Sequence, residues 1–173
     1  MSPTAKTNIV LIGLMGAGKS SVAKRLGLLL KREVISTDAL IEDKEGKAIR
    51  DIFKDEGEAY FRALEKETVR AIADRTDVII DCGGGVVLDQ KNIVHLKRNG
   101  VLIYLKASPK FLYQCIKNKK NRPLLNVKDP LARIKLLLEQ RKSKYEQADI
   151  TIVSENKTID EICDEILELI KND

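Results

Sequence analysis

The sequence predicts an α/β fold, a three-layer, doubly wound parallel sheet of five strands. Two observations carry this prediction. Short apolar, β-branched runs alternate with stretches of helical periodicity, the order typical of a parallel sheet covered on both faces. A glycine-rich segment, 13–20, joins the first of these runs to the first helical stretch, as a phosphate-binding loop does. With 173 residues, the chain has the size of one domain, expected over 1–173.

The elements follow one another along the chain in the order that such a sheet requires. Strands are predicted at 9–12, 34–35, 78–80, 101–105 and 150–153. Helices are predicted at about 20–32, 38–46, 48–55, 57–74, 90–98, 108–117, 130–147 and 158–171. In the last helix Cys163 falls on the apolar stripe with Ile159 and Ile166, so it is interpreted as a small core residue.

Two stretches are additional to a minimal doubly wound plan. Residues 37–75 hold two or three predicted helices where one crossover would be enough, and residues 117–129 form a polar, basic insert. Ligands of such folds bind at the carboxyl edge of the sheet. We therefore expect 37–75 to form a helical, substrate-binding lobe and 117–129 to form a mobile lid.

Composition excludes several classes of protein. A net charge of +5, with 43% hydrophobic and 33% charged residues, is typical of neither a disordered chain nor a membrane protein. Neither a spanning segment nor a signal peptide is recognisable, so a cytoplasmic location is expected. The three cysteines are widely spaced, which predicts reduced thiols rather than disulfides or a zinc site. The basic excess suits anionic substrates, and aromatic residues at 4% argue against nucleic-acid binding.

The segment 13–20 matches the pattern G-x-x-x-x-G-K-[ST] between a predicted strand and a predicted helix. Its backbone N–H groups are expected to surround phosphate oxygens, and the helix N-terminus adds to their field. Lys19 is expected to reach the β and γ phosphates, and Ser20 to offer its hydroxyl to Mg²⁺. The predicted nucleotide is ATP, bound by Gly16, Ala17, Gly18, Lys19, Ser20 and Ser21.

A phosphate loop does not identify the group that receives the phosphoryl. Asp38 follows a short strand and is placed to accept a hydrogen bond from an acceptor hydroxyl and take its proton. The alternative is that Asp38 is only a helix N-cap. Arg62 is a candidate ligand for an anionic acceptor, or an ordinary ion-pair partner of Glu58 or Glu65.

Three glycines, Gly83, Gly84 and Gly85, follow the apolar run that ends before Asp81. Three consecutive glycines cost chain entropy and add nothing to a core, which favours close approach of a ligand to the backbone. Asp81 lies where a carboxylate of a P-loop enzyme holds Mg²⁺ or its water.

Two further arginines are candidates. Arg122 precedes a proline and two leucines in the basic insert, so closure of that insert is expected to bring its guanidinium onto phosphate, unless it is only part of a solvated run of charge. Arg141 lies on a predicted helix, as a ligand or as an ion-pair partner.

Taken together, these segments resemble the shikimate kinase family over roughly residues 8–171. The resemblance rests on GLMGAGKSS, STDALIE, KDEGEAYFRALE, CGGGVV, RPLL and EQRKSKYEQAD, in the family's order and with similar spacing. It implies a kinase of nucleoside-monophosphate-kinase-like fold that moves the γ-phosphoryl of ATP to the 3-hydroxyl of shikimate, in the biosynthesis of aromatic amino acids. A magnesium-dependent monomer is expected.

The resemblance also implies roles for particular residues. Lys19, Asp38 and Arg122 would be catalytic, with Asp38 contacting the hydroxyls and assisting proton removal and Arg122 acting on phosphate from the lid. Arg62 and Arg141 would bind the carboxylate of shikimate, and the backbone of Gly83, Gly84 and Gly85 its hydroxyls.

The chain departs from the family pattern at three positions. Ser36 stands where the family usually has an aspartate, and Asp81 stands where it has a small residue. Our hypothesis is that Asp81 replaces, near Mg²⁺, the carboxylate absent at position 36. Cys115 replaces an arginine that stacks on adenine, so Lys117 or Lys157 is expected to cover the base in part.

Two other functions remain open from the residues alone. A related small-molecule kinase, such as a gluconate kinase, would use the same arginines on a different carboxylate. A nucleotide-dependent module binding RNA or a protein through the basic insert is the alternative from a different class.

Overall fold

The computed structural model describes residues 6–119 and 126–171 and confirms the predicted α/β architecture. Five strands form one parallel sheet in the order β2-β3-β1-β4-β5. Their bounds are β1 Asn8–Ile12, β2 Val34–Ser36, β3 Ile79–Asp81, β4 Gly100–Lys106 and β5 Ile150–Val153. Each bound lies within a residue or two of the prediction.

Helices cover both faces of the sheet and form a lobe beside it. They are α1 Lys19–Leu30, α2 Thr37–Glu45, α3 Ile49–Glu56, α4 Glu58–Ile72, α5 Gln90–Asn99, α6 Pro109–Ile116, α7 Pro130–Tyr145 and α8 Ile159–Lys171. Several of them begin at side chains that accept a hydrogen bond from the first turn, among them Ser36, Asp89, Ser108, Asp129 and Thr158. A 3₁₀ turn at Val86–Leu88, which the sequence did not predict, follows the triple glycine.

Each face of the sheet has its own apolar core. Residues such as Leu11 and Ile103 pack on one face with α1, α6 and α8, and Val10 and Leu102 pack on the other with α4 and α5. Successive residues of a strand alternate between the two cores, which is why the buried strands are continuous apolar runs. Cys163 is fully buried in the first core, as predicted.

The predicted lobe at 37–75 is formed by α2, α3 and the first half of α4, and it has a separate core of Ile41, Ile52, Phe61 and Leu64. Helix α4 belongs to two cores, because its second half packs Val69 and Ile72 against the sheet. One continuous helix therefore joins the lobe to the sheet.

Part of the predicted lid is not among the residues that the structure describes. Residues 120–125 of the 117–129 segment, Arg122 among them, lie outside the described residues. Within the described ranges, no helix is both long enough and apolar enough to cross a membrane.

Candidate active site

A cavity of about 540 Å³ opens at the carboxyl ends of β1, β2 and β3, between the phosphate loop and the lobe. This is the edge at which open α/β sheets bind ligands. The cavity brings together most of the residues predicted for the site. Those that line it are Gly16, Gly18, Lys19, Ser20, Ser21, Asp38, Arg62, Asp81, Gly83, Gly84, Gly85 and Arg141.

The phosphate loop joins β1 to α1 through glycines with positive φ. Gly16 and Gly18 have φ of 87° and 91°, a region that side chains with a Cβ rarely adopt. Gly18 precedes α1 directly, and no side chain caps that helix, so its first N–H groups point into the loop. Lys19 donates from Nζ to the carbonyls of Gly13 and Leu14, at 2.9 and 3.3 Å, which holds its ammonium over the loop.

The two predicted metal ligands are in direct contact. Ser20 Oγ donates to Asp81 Oδ2 at 2.6 Å, although the two residues are 61 positions apart. Ser36 pairs with Asp81 across the β2–β3 register, and it also lines the cavity. Hydroxyl and carboxylate oxygens are the ligands that Mg²⁺ prefers. Among the described residues no cluster of three or more metal-binding side chains occurs.

Asp38 is not the helix cap. Ser36 caps α2, accepting a hydrogen bond from the amide of Ala39 at 3.2 Å, so the cap interpretation of Asp38 is wrong. Asp38 instead lies in the first turn of α2 and lines the cavity. A methyl group placed on Gly83 would come within 2.5 Å of Asp38 Oδ1, which puts this carboxylate directly over the glycine segment.

The glycine segment is held by hydrogen bonds to three side chains, which come from two helices, α2 and α7. The amide of Gly83 donates to Thr37 Oγ1 at 2.9 Å, so it is already engaged. The carbonyl of Gly84 accepts from Arg141 Nη1 at 3.1 Å and from Tyr145 Oη at 2.6 Å. Arg141 is 3% exposed, so its guanidinium is turned inward to the glycine segment rather than to the surface.

Tyr145 is fully buried behind the segment and stacks on Tyr104 with a centroid distance of 4.8 Å. Burial raises the pKa of Tyr145 to about 12, so its hydroxyl keeps the proton that it donates to Gly84.

Arg62 lies between two carboxylates of its own helix, as one of the two interpretations predicted. Its Nη2 is 3.1 Å from Glu58 Oε1, and its Nη1 is 2.8 Å from Glu65 Oε2. The guanidinium also lies over the ring of Phe61, 5.2 Å from its centroid, and a methyl group on Gly85 would overlap it. Because Arg62 lines the cavity as well, the ion pairs and the ligand role are not exclusive.

Glu65 is the residue that sequence reasoning missed. It is 1% exposed, and burial raises its pKa to about 7 against the lowering effect of Arg62. A signal was present in the sequence, because Glu65 falls on the buried stripe of α4 with Phe61, Leu64 and Val69. Burying a carboxylate within an apolar stripe costs folding free energy, so its presence there indicates a role in the site.

The lobe contributes an apolar wall to the cavity. Ile49, Phe53 and Phe61 line it, and the two rings pack with centroids 4.8 Å apart. An apolar wall opposite charged groups suits a compact ring that carries polar substituents.

The nucleotide side is open and polar. Cys115, which is exposed, and Lys119 line the cavity beside the phosphate loop. Ala17 is buried within the loop, and Lys157 pairs with Glu165 and is not part of the cavity wall. Their binding roles, and that of Arg122, stay predictions.

The geometry thus provides two compartments that meet at Ser20, Asp38 and Asp81. One has the N–H groups and cation that phosphates require, and the other has two arginines, a carboxylate and an apolar wall. Such a pair suits phosphoryl transfer from a nucleotide to a small, anionic, hydroxylated acceptor.

Comparison with known proteins agrees with this geometry. The sequence model of the family described as shikimate kinase matches residues 15–171. A protein from Caldanaerobacter subterraneus subsp. tengcongensis named shikimate kinase is 46% identical over 160 residues, which are 92% of this chain and 94% of that protein. The structure of shikimate kinase from Acinetobacter baumannii in complex with shikimate superposes with a TM-score of 0.93, at 35% identity, covering 98% of this chain and 95% of the other.

Proposed function

The chain belongs to the shikimate kinase family, and we propose that the cavity is its active site. As a member, it is an ATP-dependent kinase that transfers the γ-phosphoryl group to the 3-hydroxyl of shikimate, giving 3-phosphoshikimate and ADP, in the biosynthesis of chorismate and the aromatic amino acids. One observation carries the assignment of the site. The phosphate loop, Asp38 and two arginines converge on one cavity although they come from four separate segments.

The donor compartment binds ATP through its phosphates. The amides of 16–21 surround the phosphate oxygens, and the N-terminus of α1 adds a positive field. Lys19 leaves the carbonyls of Gly13 and Leu14 to follow the β and γ phosphates, where its charge offsets the charge that develops during transfer.

Ser20 and Asp81 fit a magnesium ion. Their oxygens already lie 2.6 Å apart at the edge of the phosphate loop. When bound, Mg²⁺ would supply positive charge that offsets the negative charge of the phosphates during transfer. Because Ser36 and Asp81 are paired in the sheet register, Asp81 occupies the strand position beside the one that lacks a carboxylate, which supports the compensation hypothesis.

The acceptor compartment orients shikimate by its carboxylate and hydroxyls. Arg62 and Arg141 bind the carboxylate, since guanidinium forks match carboxylates in geometry. Asp38 accepts a hydrogen bond from the 3-hydroxyl and takes its proton as the oxygen attacks phosphorus. The glycine segment forms one wall of the acceptor compartment. A side chain at Gly83 would collide with Asp38, and one at Gly85 with Arg62.

Closure completes the site in this proposal. Phosphoryl transfer must exclude water, or ATP is hydrolysed without an acceptor. The lobe at 37–75 and the lid at 117–129 are proposed to close over both substrates, bringing Arg122 onto phosphate. Limited proteolysis of the lid should slow when ATP and shikimate are both present, and equal cleavage with and without them would contradict closure.

We also propose that residues 1–173 act as one kinase domain, as a cytoplasmic monomer that does not bind nucleic acid. All the residues assigned to the described part of the site come from a single chain, so no second copy is needed to build it. A mass of about 19 kDa by light scattering in solution would support the monomer, since the chain is 19.4 kDa.

The first experiment measures ADP release from Mg²⁺-ATP with shikimate, with gluconate and with no acceptor. Shikimate alone should accelerate release. Asp38→Asn should lower kcat about 10²-fold or more by removing the base, and Arg62→Ala should raise the KM for shikimate.

Matched controls come from the same helices, because Asp43→Asn on α2 and Arg70→Ala on α4 alter exposed residues that do not line the cavity. Equal release without acceptor, or a preference for gluconate, would contradict the acceptor assignment and leave the nucleotide site standing.

The metal assignment has its own test. Asp81→Ala should raise the Mg²⁺ concentration that gives half-maximal activity by several-fold, because one of two protein oxygens near the ion is lost. Adding the carboxylate back on the neighbouring strand, as Ser36→Asp in the Asp81→Ala background, should lower it again. Identical Mg²⁺ titrations for wild type and Asp81→Ala would remove Asp81 from the metal site.

A further inference from the structure

Glu65 is a buried carboxylate that, among the described residues, accepts a hydrogen bond at only one of its two oxygens. Its Oε2 lies 2.8 Å from Arg62 Nη1. Its Oε1 is buried and has no hydrogen-bond partner among the described residues. A buried oxygen of a carboxylate without a donor is destabilised, and a proton relieves that cost.

Charged groups face Glu65 from three helices, α2, α4 and α7. Arg62 and Arg141 attract it from α4 and α7, and Asp38 repels it from α2. A methyl group placed on Gly83 would lie 2.5 Å from Asp38 Oδ1 and 3.2 Å from Glu65 Oε1, so both carboxylates approach one small patch of backbone. The thiol of Cys82 is buried below them. Burial therefore leaves the pKa of Glu65 at about 7, where both protonation states are populated near neutral pH.

Binding of shikimate adds a third anion to this group. The acceptor carboxylate would bind Arg62, whose Nη1 donates to Glu65 and whose Nε and Nη2 donate to Glu58. Glu58 is half exposed, so water can solvate its charge when Arg62 turns away. Glu65 has no such access to water, so its anion would lose its main partner and gain a like charge nearby.

We propose that shikimate binding at Arg62 is coupled to the uptake of a proton by Glu65, so that Glu65 is neutral when the acceptor is in place. This inference rests on the proposed function. The proton comes from solvent and is bound at Oε1, and it offsets the negative charge that the acceptor brings. Neutral Glu65 releases Arg62 Nη1 to the acceptor carboxylate and leaves Asp38 as the charged base beside the 3-hydroxyl. Glu65 is thus a positioning residue that acts through Arg62.

The coupling has a defined pH dependence. Below pH 7 Glu65 is already largely neutral in the free protein, so little proton uptake is expected. Near pH 8 it is largely ionised before binding, and uptake should approach one proton per shikimate. The affinity for shikimate should accordingly fall as the pH rises above 7, by at most about tenfold per pH unit.

Calorimetric titration of the whole chain with shikimate at pH 8, in two buffers of different ionisation enthalpy, measures the proton count. We expect wild type to take up between about half a proton and one proton. Glu65→Gln should bind with a heat that does not depend on the buffer and with an affinity that does not change from pH 6 to 8.5. Glu58→Gln, which alters the exposed partner of Arg62, should keep the uptake of wild type.

The wild-type titration is decisive even where Glu65→Gln does not fold. Shikimate binding with no buffer dependence would overturn the coupling and leave the kinase assignment intact. Absence of any shikimate binding would overturn the proposed function together with this inference. A KM for shikimate that stays constant from pH 6 to 8.5 in wild type would also overturn the coupling.

Discussion

The donor and acceptor compartments of this cavity are built in opposite ways. The donor compartment is one continuous segment, 13–21, and its functional groups are chiefly backbone amides fixed by glycine conformations and by the start of α1. The acceptor compartment collects side chains from α2, α4 and α7. Its two arginines are already engaged, Arg62 by Glu58 and Glu65 and Arg141 by the carbonyl of Gly84. The backbone amides of the donor side are therefore in place before binding, and its Lys19 has only backbone carbonyls to leave. On the acceptor side, Arg62 must exchange charged partners when the ligand arrives.

The largest expected effect is on kcat/KM for ATP, when Lys19 is removed from the donor compartment. Lys19→Ala should lower kcat/KM for ATP about 10³-fold, because it removes the charge that follows the transferring phosphoryl group. The coupled ADP assay measures this. Lys24→Ala, on an exposed position of the same helix, is the control. Activity within tenfold of wild type would show that the backbone amides are sufficient for ATP binding and transfer without the charge of Lys19.

An effect of intermediate size is expected for a variant that should weaken shikimate binding without altering ATP binding. Gly85→Ala places a methyl group against the guanidinium of Arg62, so the KM for shikimate should rise about 10-fold to 100-fold while the KM for ATP stays near wild type. Gly84→Ala should raise it less, because its methyl group would meet its nearest neighbours at 3.5 Å or more. Equal rises in both KM values would mean that the compartments are not independent.

The smallest effect concerns the support behind the acceptor compartment. Tyr145→Phe removes the hydrogen bond to the Gly84 carbonyl, but Arg141 still donates to that oxygen, and the ring still stacks on Tyr104. Thermal or urea unfolding should show a loss of about 1 kcal/mol, with kcat nearly unchanged. A loss of kcat greater than tenfold would show that this hydroxyl also fixes the position of Arg141.

The same contrast explains what could be predicted from the sequence. Strands, helices and the phosphate loop are encoded locally, by periodicity and by one contiguous motif, and the structure places them close to the expected bounds. Ser20 is identified by the phosphate-loop motif that follows β1, and Asp81 by its position at the carboxyl end of a predicted strand. Sheet topology brings the ends of these strands to one edge. Their contact follows from that rule.

Roles that depend on packing were not predictable in this way. Glu65 and Tyr145 acquire theirs from the residues around them, and those neighbours come from distant parts of the chain. The cap at the start of α2 depends on a small difference in where the helix begins, because α2 begins at Thr37 and this places Ser36 rather than Asp38 at the cap. The hydrogen bond that the Gly83 amide donates to Thr37 likewise depends on the pairing of β2 with β3, which local sequence does not reveal.

Helix α4 is anchored in the core of the sheet at a point distant from the residue by which it contacts the acceptor. Its second half is fixed to the sheet by Val69 and Ile72, and its first half carries Arg62 into the cavity. About 15 Å of helix axis separates Arg62 from Ile72, so a tilt of about 4° at the sheet moves the guanidinium by about 1 Å. A displacement of that size is enough to cost an enzyme about 10²-fold in rate. Conservative changes in the core under α4 should therefore change how the acceptor is held while leaving the nucleotide site untouched.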